Sequence, residues 1–423
     1  MLNPISSNKR FDLSRYWRGI ASLAFLFLLI EFFDEFNYTL FGAALPVIRT
    51  DLILTYAQVG LLFGLPHITS SFVEMGIMLL GDTRLRKALV VGGGIVVMIS
   101  LILIATASSF PFLMVAMILG FPASGAFVTL SQATLMDLNP GREPHMMARW
   151  TLFGSLGNLV GPLILAGGFA LAWGWRWPFF LLAGLALALT WWVWRSPFPA
   201  RHFASETPSG QLPTGARETI REILRNLGAA LVNLHLLRWI VLLMLSDLLM
   251  DVFTSYLPLY LTDVVGISPA QTSLFLSLAI LASLASDIVL IPLLERFPGR
   301  KVVRLSAAAV ALVYPVWLLV PWLPVKLLLV LVIKFITLGW YSVLQGEAYA
   351  SVPGRSGTVM AVNSLAGLLG GVIPFLIGWT AQQAGLPAAM WLLLLGPLSL
   401  AIFVPRPRKI PNPVPSTEKP QTP

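Results

Sequence analysis

Acidic side chains stand at two places in this chain where acids are costly. Glu31, Asp34 and Glu35 fall inside one long apolar run, and Asp247 and Asp251 inside another. Spacings of three and four residues place Glu31 beside Glu35 on one helix face with Asp34 next to them, and Asp247 beside Asp251 on a second helix. A charged residue at the centre of a bilayer costs ~2.5–3.5 kcal/mol on insertion scales, so each of these groups needs a reason to be there. Desolvation and mutual repulsion bear on the proton affinity of such clusters, so one member could bind and release a proton near neutral pH, or receive a cation. Glu31 is expected nearer the cytoplasmic half, within reach of water. One amine, Lys334, lies deep in a third run. It could form an ion pair with Asp247 or Asp251 that is exchanged during a working cycle, a fixed buried pair with either, or an anion-binding group.

Other chemistries lack their residues. The chain has no cysteine, which removes disulfides, thiolate nucleophiles and thiolate metal sites. No metal-ligand cluster is apparent, and Gly92-Gly93-Gly94 lacks the lysine and strand context of a phosphate cradle. The sequence therefore predicts neither an enzyme nor a cofactor. His67, alone in an apolar run, reads as a packed, hydrogen-bonded group or as a proton relay.

The elements that must position these groups are membrane spans. Of 423 residues, 57% are hydrophobic and 11% charged, and the mean hydropathy is +0.81. A soluble chain carries about a quarter charged residues. Twelve apolar stretches are long enough to cross a bilayer as helices. They run 19–47, 57–80, 88–107, 111–136, 147–172 and 177–195, then 238–262, 270–294, 302–322, 325–350, 357–383 and 387–404. The first run, from Gly19 past Pro46, is too long for a signal-peptide core. With the N-terminus cytoplasmic, all but four of the 28 Lys and Arg fall on the inside; Arg49, Arg176 and Lys326 lie outside and Lys334 within a span. Cytoplasmic loops retain such cations, so both termini are expected inside. The net charge of +9 thus belongs to short loops and needs no nucleic-acid partner. Trp173, Trp175, Trp177, Trp191, Trp192 and Trp194 read as interfacial belts.

The chain is also a duplication. Pro140-Gly141-Arg142, Met147-Ala148, Gly154 and Gly157 recur as Pro353-Gly354-Arg355, Met360-Ala361, Gly367 and Gly370, at a constant offset of 213. The same shift carries Glu74 onto Asp287, Asp82 onto Glu295 and Gln132 onto Gln345, while aligning Leu45-Pro46 with Leu257-Pro258 superposes Glu35 on Asp247. Twin halves with polar groups at matched depths are how secondary transporters are built. The predicted fold is an all-α integral membrane protein, with twelve transmembrane helices in two pseudo-symmetric six-helix bundles, 1–195 and 238–404. A cytoplasmic linker, 196–237, joins them, with an amphipathic stretch from Arg217 to Leu227. The tail 405–423 is expected to be disordered. Glu74, Asp287, Gln132 and Gln345 read as cytoplasmic gate groups, and Arg142 and Arg355 as either orienting charges or gate salt bridges. Gly154, Gly157, Gly161 and Pro162, with Gly367, Gly370 and Pro374, form small-residue stripes suited to helix packing and bending. Phe32, Phe33, Phe36 and Phe253 could line an apolar pocket near the acids.

These features resemble the major facilitator superfamily over essentially the whole chain. Gly81, Asp82, Arg86 and Lys87 fit its loop motif after span 2, with Met78 and Leu85 at its glycine positions. Glu295 through Lys301, including Arg300, fit the second copy with one inserted proline. The resemblance implies that spans 1, 4, 7 and 10 line a central cavity and that Asp82 and Glu295 help lock the cytoplasmic side. Gly157 through Pro162 is similar to the span-5 core of antiporter members, although Gly167-Gly168 follow after four residues where those members have two. The expectation is a monomeric secondary transporter in the cell membrane, of bacterial inner-membrane type. It would expel a lipophilic or cationic small molecule as protons enter. A proton symporter importing an organic acid or sugar, or a non-transporting sensor or scaffold, are the alternatives.

Overall fold

The chain folds as helices laid antiparallel in two six-helix bundles, because nearly every segment between its short loops is one unbroken apolar run. The computed structural model describes residues 13–81, 85–139, 143–196, 198, 233–337, 339–351, 362, 366–368 and 370–405. The first bundle comprises α1 (Leu13–Asp51), α2 (Tyr56–Gly81), α3 (Arg86–Thr106), α4 (Phe110–Asp137), α5 (Glu143–Ala170) and α6 (Trp177–Arg195). The second comprises α7 (234–264), α8 (Pro269–Arg296), α9 (Gly299–Leu319), α10 (Leu323–Ile336 resuming over Trp340–Ala350), α11 (ending with Val372–Ala384) and α12 (Leu386–Phe403). Even spacing of crossings puts the start of α1 and the end of α12 on one side, here the terminal face; the other is the distal face. Most of the expected linker (201–232), the tail from 406, and Asp82, Arg142 and Arg355 with their loops lie outside the described residues.

Burial is organised between helices. Phe27, Phe127 and Phe179 in the first bundle and Trp239, Tyr256, Tyr314, Trp317 and Trp340 in the second are fully buried, while Leu312, Leu319, Ile288 and Ile402 are exposed on the outside. A surface so apolar is what a hydrocarbon solvent requires. α1 lies on α5, α2 on α11, α5 on α8, and α1 touches α7 and α8, so the bundles meet along two long seams.

Backbone irregularity recurs at mid-depth, and α7 carries a further widened turn at its distal end. α4 widens into a π-helical turn over Gly125–Thr129, and α7 does so over Leu248–Val252 and Tyr260–Val264. α10 is interrupted after Ile336, with Gly339 at φ 65°. The offset of 213 carries 125–129 onto 338–342, a stretch that begins at the interruption of α10, so the irregular places of the two halves lie close in register.

One expectation about charge is corrected. Lys326, taken as an outside-loop cation, is only 6% exposed in the first turn of α10. Its Nζ donates to the carbonyls of Trp317 (2.9 Å) and Leu318 (3.2 Å) and to the Tyr260 hydroxyl (3.2 Å). A cation there satisfies the orphan carbonyls at the end of α9.

The α2–α11 seam depends on backbone-to-backbone approach. A Cβ on Gly64 would collide with the carbonyl oxygen of Gly371, and a Cβ on Gly371 with that of Gly64 and the Ile68 side chain. Gly370 faces open space and Gly367 has Ser71 Oγ at an ordinary 3.7 Å, so the close approach falls one residue beyond the expected stripe. Gly371→Ala should therefore cost ~1–3 kcal/mol as an overpacking change, whereas Gly370→Ala should be neutral. Thermal melting in detergent followed by size exclusion tests this, and equal melting of the two variants would refute the seam.

Candidate functional site

The acids of α1 are seated by the small-residue face of α5. A Cβ on Gly154 would strike Glu31 Oε1, one on Gly157 the Phe32 carbonyl, and one on Gly161 the Thr39 hydroxyl and the α1 backbone. Gly157 and Gly161 thus serve the close packing of α5 on α1 that the stripe suggests, and Gly154 in addition makes room for the Glu31 carboxylate. Glu31 is 8% exposed, with the Trp150 side chain beside it, and is not in contact with open water as expected. Glu35 has the Asn158 side chain beside it. Asp34 accepts a hydrogen bond from Ser124 Oγ, immediately before the π-helical turn of α4.

Glu74, assigned by sequence to a gate, belongs to this group. It accepts from Ser70 Oγ at 2.5 Å, packs on Gly125, and its charge acts on Asp34. The cluster continues across the seam between the bundles: Glu35 interacts electrostatically with Asp251, and Asp251 with Asp247. Tyr38 on α1 has Ser255 of α7 beside it. Tyr38, His67 and Asp251 lie at the middle of their helices yet have exposed side chains facing one another's helices. An accessible cleft therefore separates the bundles at mid-depth, and carboxylates line it.

Lys334 stands on the opposite wall. Its Nζ donates to Thr254 Oγ1 and lies 5.6 Å from the centre of the Phe253 ring. The expected ion pair with Asp247 or Asp251 is not closed among the described residues. Asp251 remains within electrostatic range of both Lys334 and His67, the latter from the other bundle. The hydroxyl of Thr254 intercepts the ammonium because it lies three residues along the same helix from Asp251. Of the aromatics expected to line a pocket, Phe33 packs on Phe127 and Phe253 on Tyr314 and Trp317, all within the cores; Phe36 is also buried. Phe32 alone is half-buried, 6.0 Å from the Phe36 ring.

At the terminal face each bundle carries the same device. Arg86 is buried and bonds both the Gly81 carbonyl and Asp137 at the end of α4. Arg300, displaced by 214 in sequence, reaches both oxygens of Glu347 near the end of α10, with Nε at 2.6 Å. Bidentate pairing of this kind fixes orientation as well as charge. Asp137 and Glu347 were not singled out from sequence; they do not align at the repeat offset, and only the fold shows that each lies opposite its arginine. Glu295 is exposed, Gln132 and Gln345 are half-buried, and the side chain of Asp287 is not among those described.

At the distal face the bundles are tied to each other. Arg49 of α1 pairs with Asp263 of α7 at 2.7 Å, and the Tyr56 hydroxyl donates to the same carboxylate at 2.9 Å. The Arg49 guanidinium stacks 4.2 Å from the Tyr56 ring, and the Tyr56 N–H donates to Gln382 of α11 at 3.1 Å.

Comparison with known proteins agrees with this fold. The family model of the Major Facilitator Superfamily matches residues 27–374, and the chain belongs to that superfamily. No curated protein sequence matches. Among solved structures, a bacterial homologue of the human lysosomal transporter Spinster, inward-facing and unoccupied, is similar at a TM-score of 0.72 and 16% identity, covering 91% of this chain and 96% of that one. The nucleoside transporter NupG gives 0.67 and 14%, covering 90% and 97%. A POT family transporter in complex with a thioalcohol-conjugated peptide gives 0.66 and 15%, covering 90% and 96%. At these identities the likeness is one of fold.

The distal ties make a measurable claim. A partly exposed ion pair contributes ~0.2–1 kcal/mol, so Arg49→Ala should raise the population open at that face by about 1.4- to fivefold. The chain has no native cysteine, so a single cysteine at Ser255 reports opening through its labelling by an impermeant maleimide from the distal side. Labelling unchanged by Arg49→Ala would show that the pair does not hold the bundles together.

Proposed function

We propose that this member of the Major Facilitator Superfamily is a proton-coupled exporter of lipophilic, cationic small molecules, working by alternating access. The observation that carries the reading is the concentration of carboxylates at the cleft: Asp34, Glu35 and Glu74 from one bundle, with Glu31 buried behind them, and Asp247 and Asp251 from the other, against the amine of Lys334. Such a cleft attracts cations and lets a proton and a cationic substrate compete for the same oxygens. With the terminal face cytoplasmic, the ties at Arg49, Tyr56 and Asp263 close the outer side, and the cleft receives substrate from within. Proton entry from outside would then displace the substrate once the bundles rock. Glu35 and Asp251 are the favoured coupling pair because they face each other from different bundles, so rocking changes their separation.

A second reading is favoured by one observation. The Lys334 ammonium is held by a hydroxyl, not by a carboxylate, and an ammonium so held is available to an organic anion. This reading makes the protein a proton symporter importing an organic acid.

Purified protein in liposomes with an internal pH-sensitive dye separates the two. Addition of lipophilic cations to wild type should move protons against the direction of the compound, and Glu35→Gln or Asp251→Asn should reduce that movement tenfold or more without loss of folded protein. Co-movement of protons with organic anions, abolished by Lys334→Gln, would establish the second reading. Coupled transport that survives in both acid variants would sink the first.

A further inference from the structure

The lipid-facing side of a helical bundle is ordinarily convex, but the second bundle has a recess there. α8 and α9 are joined at the terminal face by the short turn through Phe297 and Pro298, each packs on α10 more than on the other, and α10 forms the floor between them. The resulting cavity, about 330 Å³, is bounded by Leu293 of α8, Phe297 just after it, Val302 and Leu305 of α9, and Phe335 of α10. Its lining is almost wholly apolar; Ser306, one of its polar residues, already accepts a hydrogen bond from Trp340 Nε1 at 2.8 Å. Phe297, Leu305 and Phe335 are exposed, so the recess opens sideways towards the bilayer rather than into the central cleft.

The rim at the terminal face is basic. Residues 295–304 hold Arg296, Arg300, Lys301 and Arg304 against the single acid Glu295. Two of these cations are engaged, Arg300 by Glu347 and Arg304 by the Ala401 carbonyl. Lys301, which lines the recess, has only the Phe297 ring, 5.4 Å from its Nζ, and closes no ion pair among the described residues. An apolar recess that ends at an ammonium closing no ion pair among the described residues is complementary to one kind of molecule. Hydrocarbon fills the slot, and an anionic phosphate meets the amine.

We propose that this recess is a binding site for an anionic phospholipid, with an acyl chain between α8 and α9 and the headgroup phosphate on Lys301. Because the walls come from α8, α9 and α10, an occupied site would tie together three helices of one bundle. The proposal does not depend on which substrate the central cleft carries.

Native mass spectrometry of the full-length protein, with dioleoyl phosphatidylglycerol or dioleoyl phosphatidylcholine added to the detergent micelle, tests it. Wild type should retain phosphatidylglycerol at least several-fold better than phosphatidylcholine. Lys301→Gln should remove that preference, and Leu305→Trp, which fills the slot, should lower retention of both lipids. Size-exclusion profiles matching wild type would show that both variants fold. Equal retention of the two lipids by wild type, or a preference that survives both substitutions, would overturn the proposal. Lipid retention that appears only after deletion of residues 217–227 would make that segment of the chain the occupant and would overturn it as well.

Discussion

Removing a carboxylate from water is the constraint around which this protein is arranged. An unpaired charge in hydrocarbon is expensive enough to eject the helix that carries it, yet α1 and α7 each keep acids at mid-depth. The fold meets the cost with polar neighbours and with space. Ser124, Trp150 and Asn158 are brought to Asp34, Glu31 and Glu35 from α4 and α5. Gly154 removes the side chain that would otherwise occupy the position of the Glu31 carboxylate. The widened turn of α4 serves the same end, since it sets Gly125 against Glu74 directly after Ser124 meets Asp34. π-helical turns are commonly found where a helix must present unusual geometry to a site.

The two faces of the molecule use charge differently. At the terminal face Arg86–Asp137 and Arg300–Glu347 act inside their own bundles, fastening α3 to α4 and α9 to α10. At the distal face Arg49 and Tyr56 reach across to Asp263 and Gln382. Internal fastening makes each bundle stiff, and cross-bundle ties decide which side is shut. Partly exposed pairs are worth little individually, which suits a contact that must break and reform.

Much of this was readable from the chain. The offset of 213 exposed the duplication, and hydropathy placed the spans close to the helices wherever their ends are described, because both signals are sums over many positions. The acids were identifiable one by one, since a carboxylate in an apolar run has no cheap explanation. What the sequence concealed was relational. Glu74 and Asp287 looked like symmetric partners, yet Glu74 joins Asp34 because Gly125 lets it in, a contact that no periodicity encodes. Lys334 was expected to find a carboxylate, but Thr254, three residues from Asp251, is the group within reach of its Nζ. Lys326 looked like a loop cation because charge counts ignore that a long side chain can fold back over Trp317 and Leu318. Asp137 and Glu347 went unnoticed because the repeat register does not align them.

The interruption of α10 after Ile336 and the widened turn of α4 over Gly125–Thr129 fall at equivalent depths. A continuous helix behaves as a rod: tilt imposed at one end appears at the other. A rod with a soft joint at its midpoint does not transmit the tilt, so its two ends can lean independently. In the first bundle α4 is thus a pair of short levers, and in the second α10 is, with α7 carrying widened turns of its own. Motion at the distal end of such a bundle need not reproduce itself at the terminal end, and a cleft built this way can pinch in the middle while both of its mouths stay still.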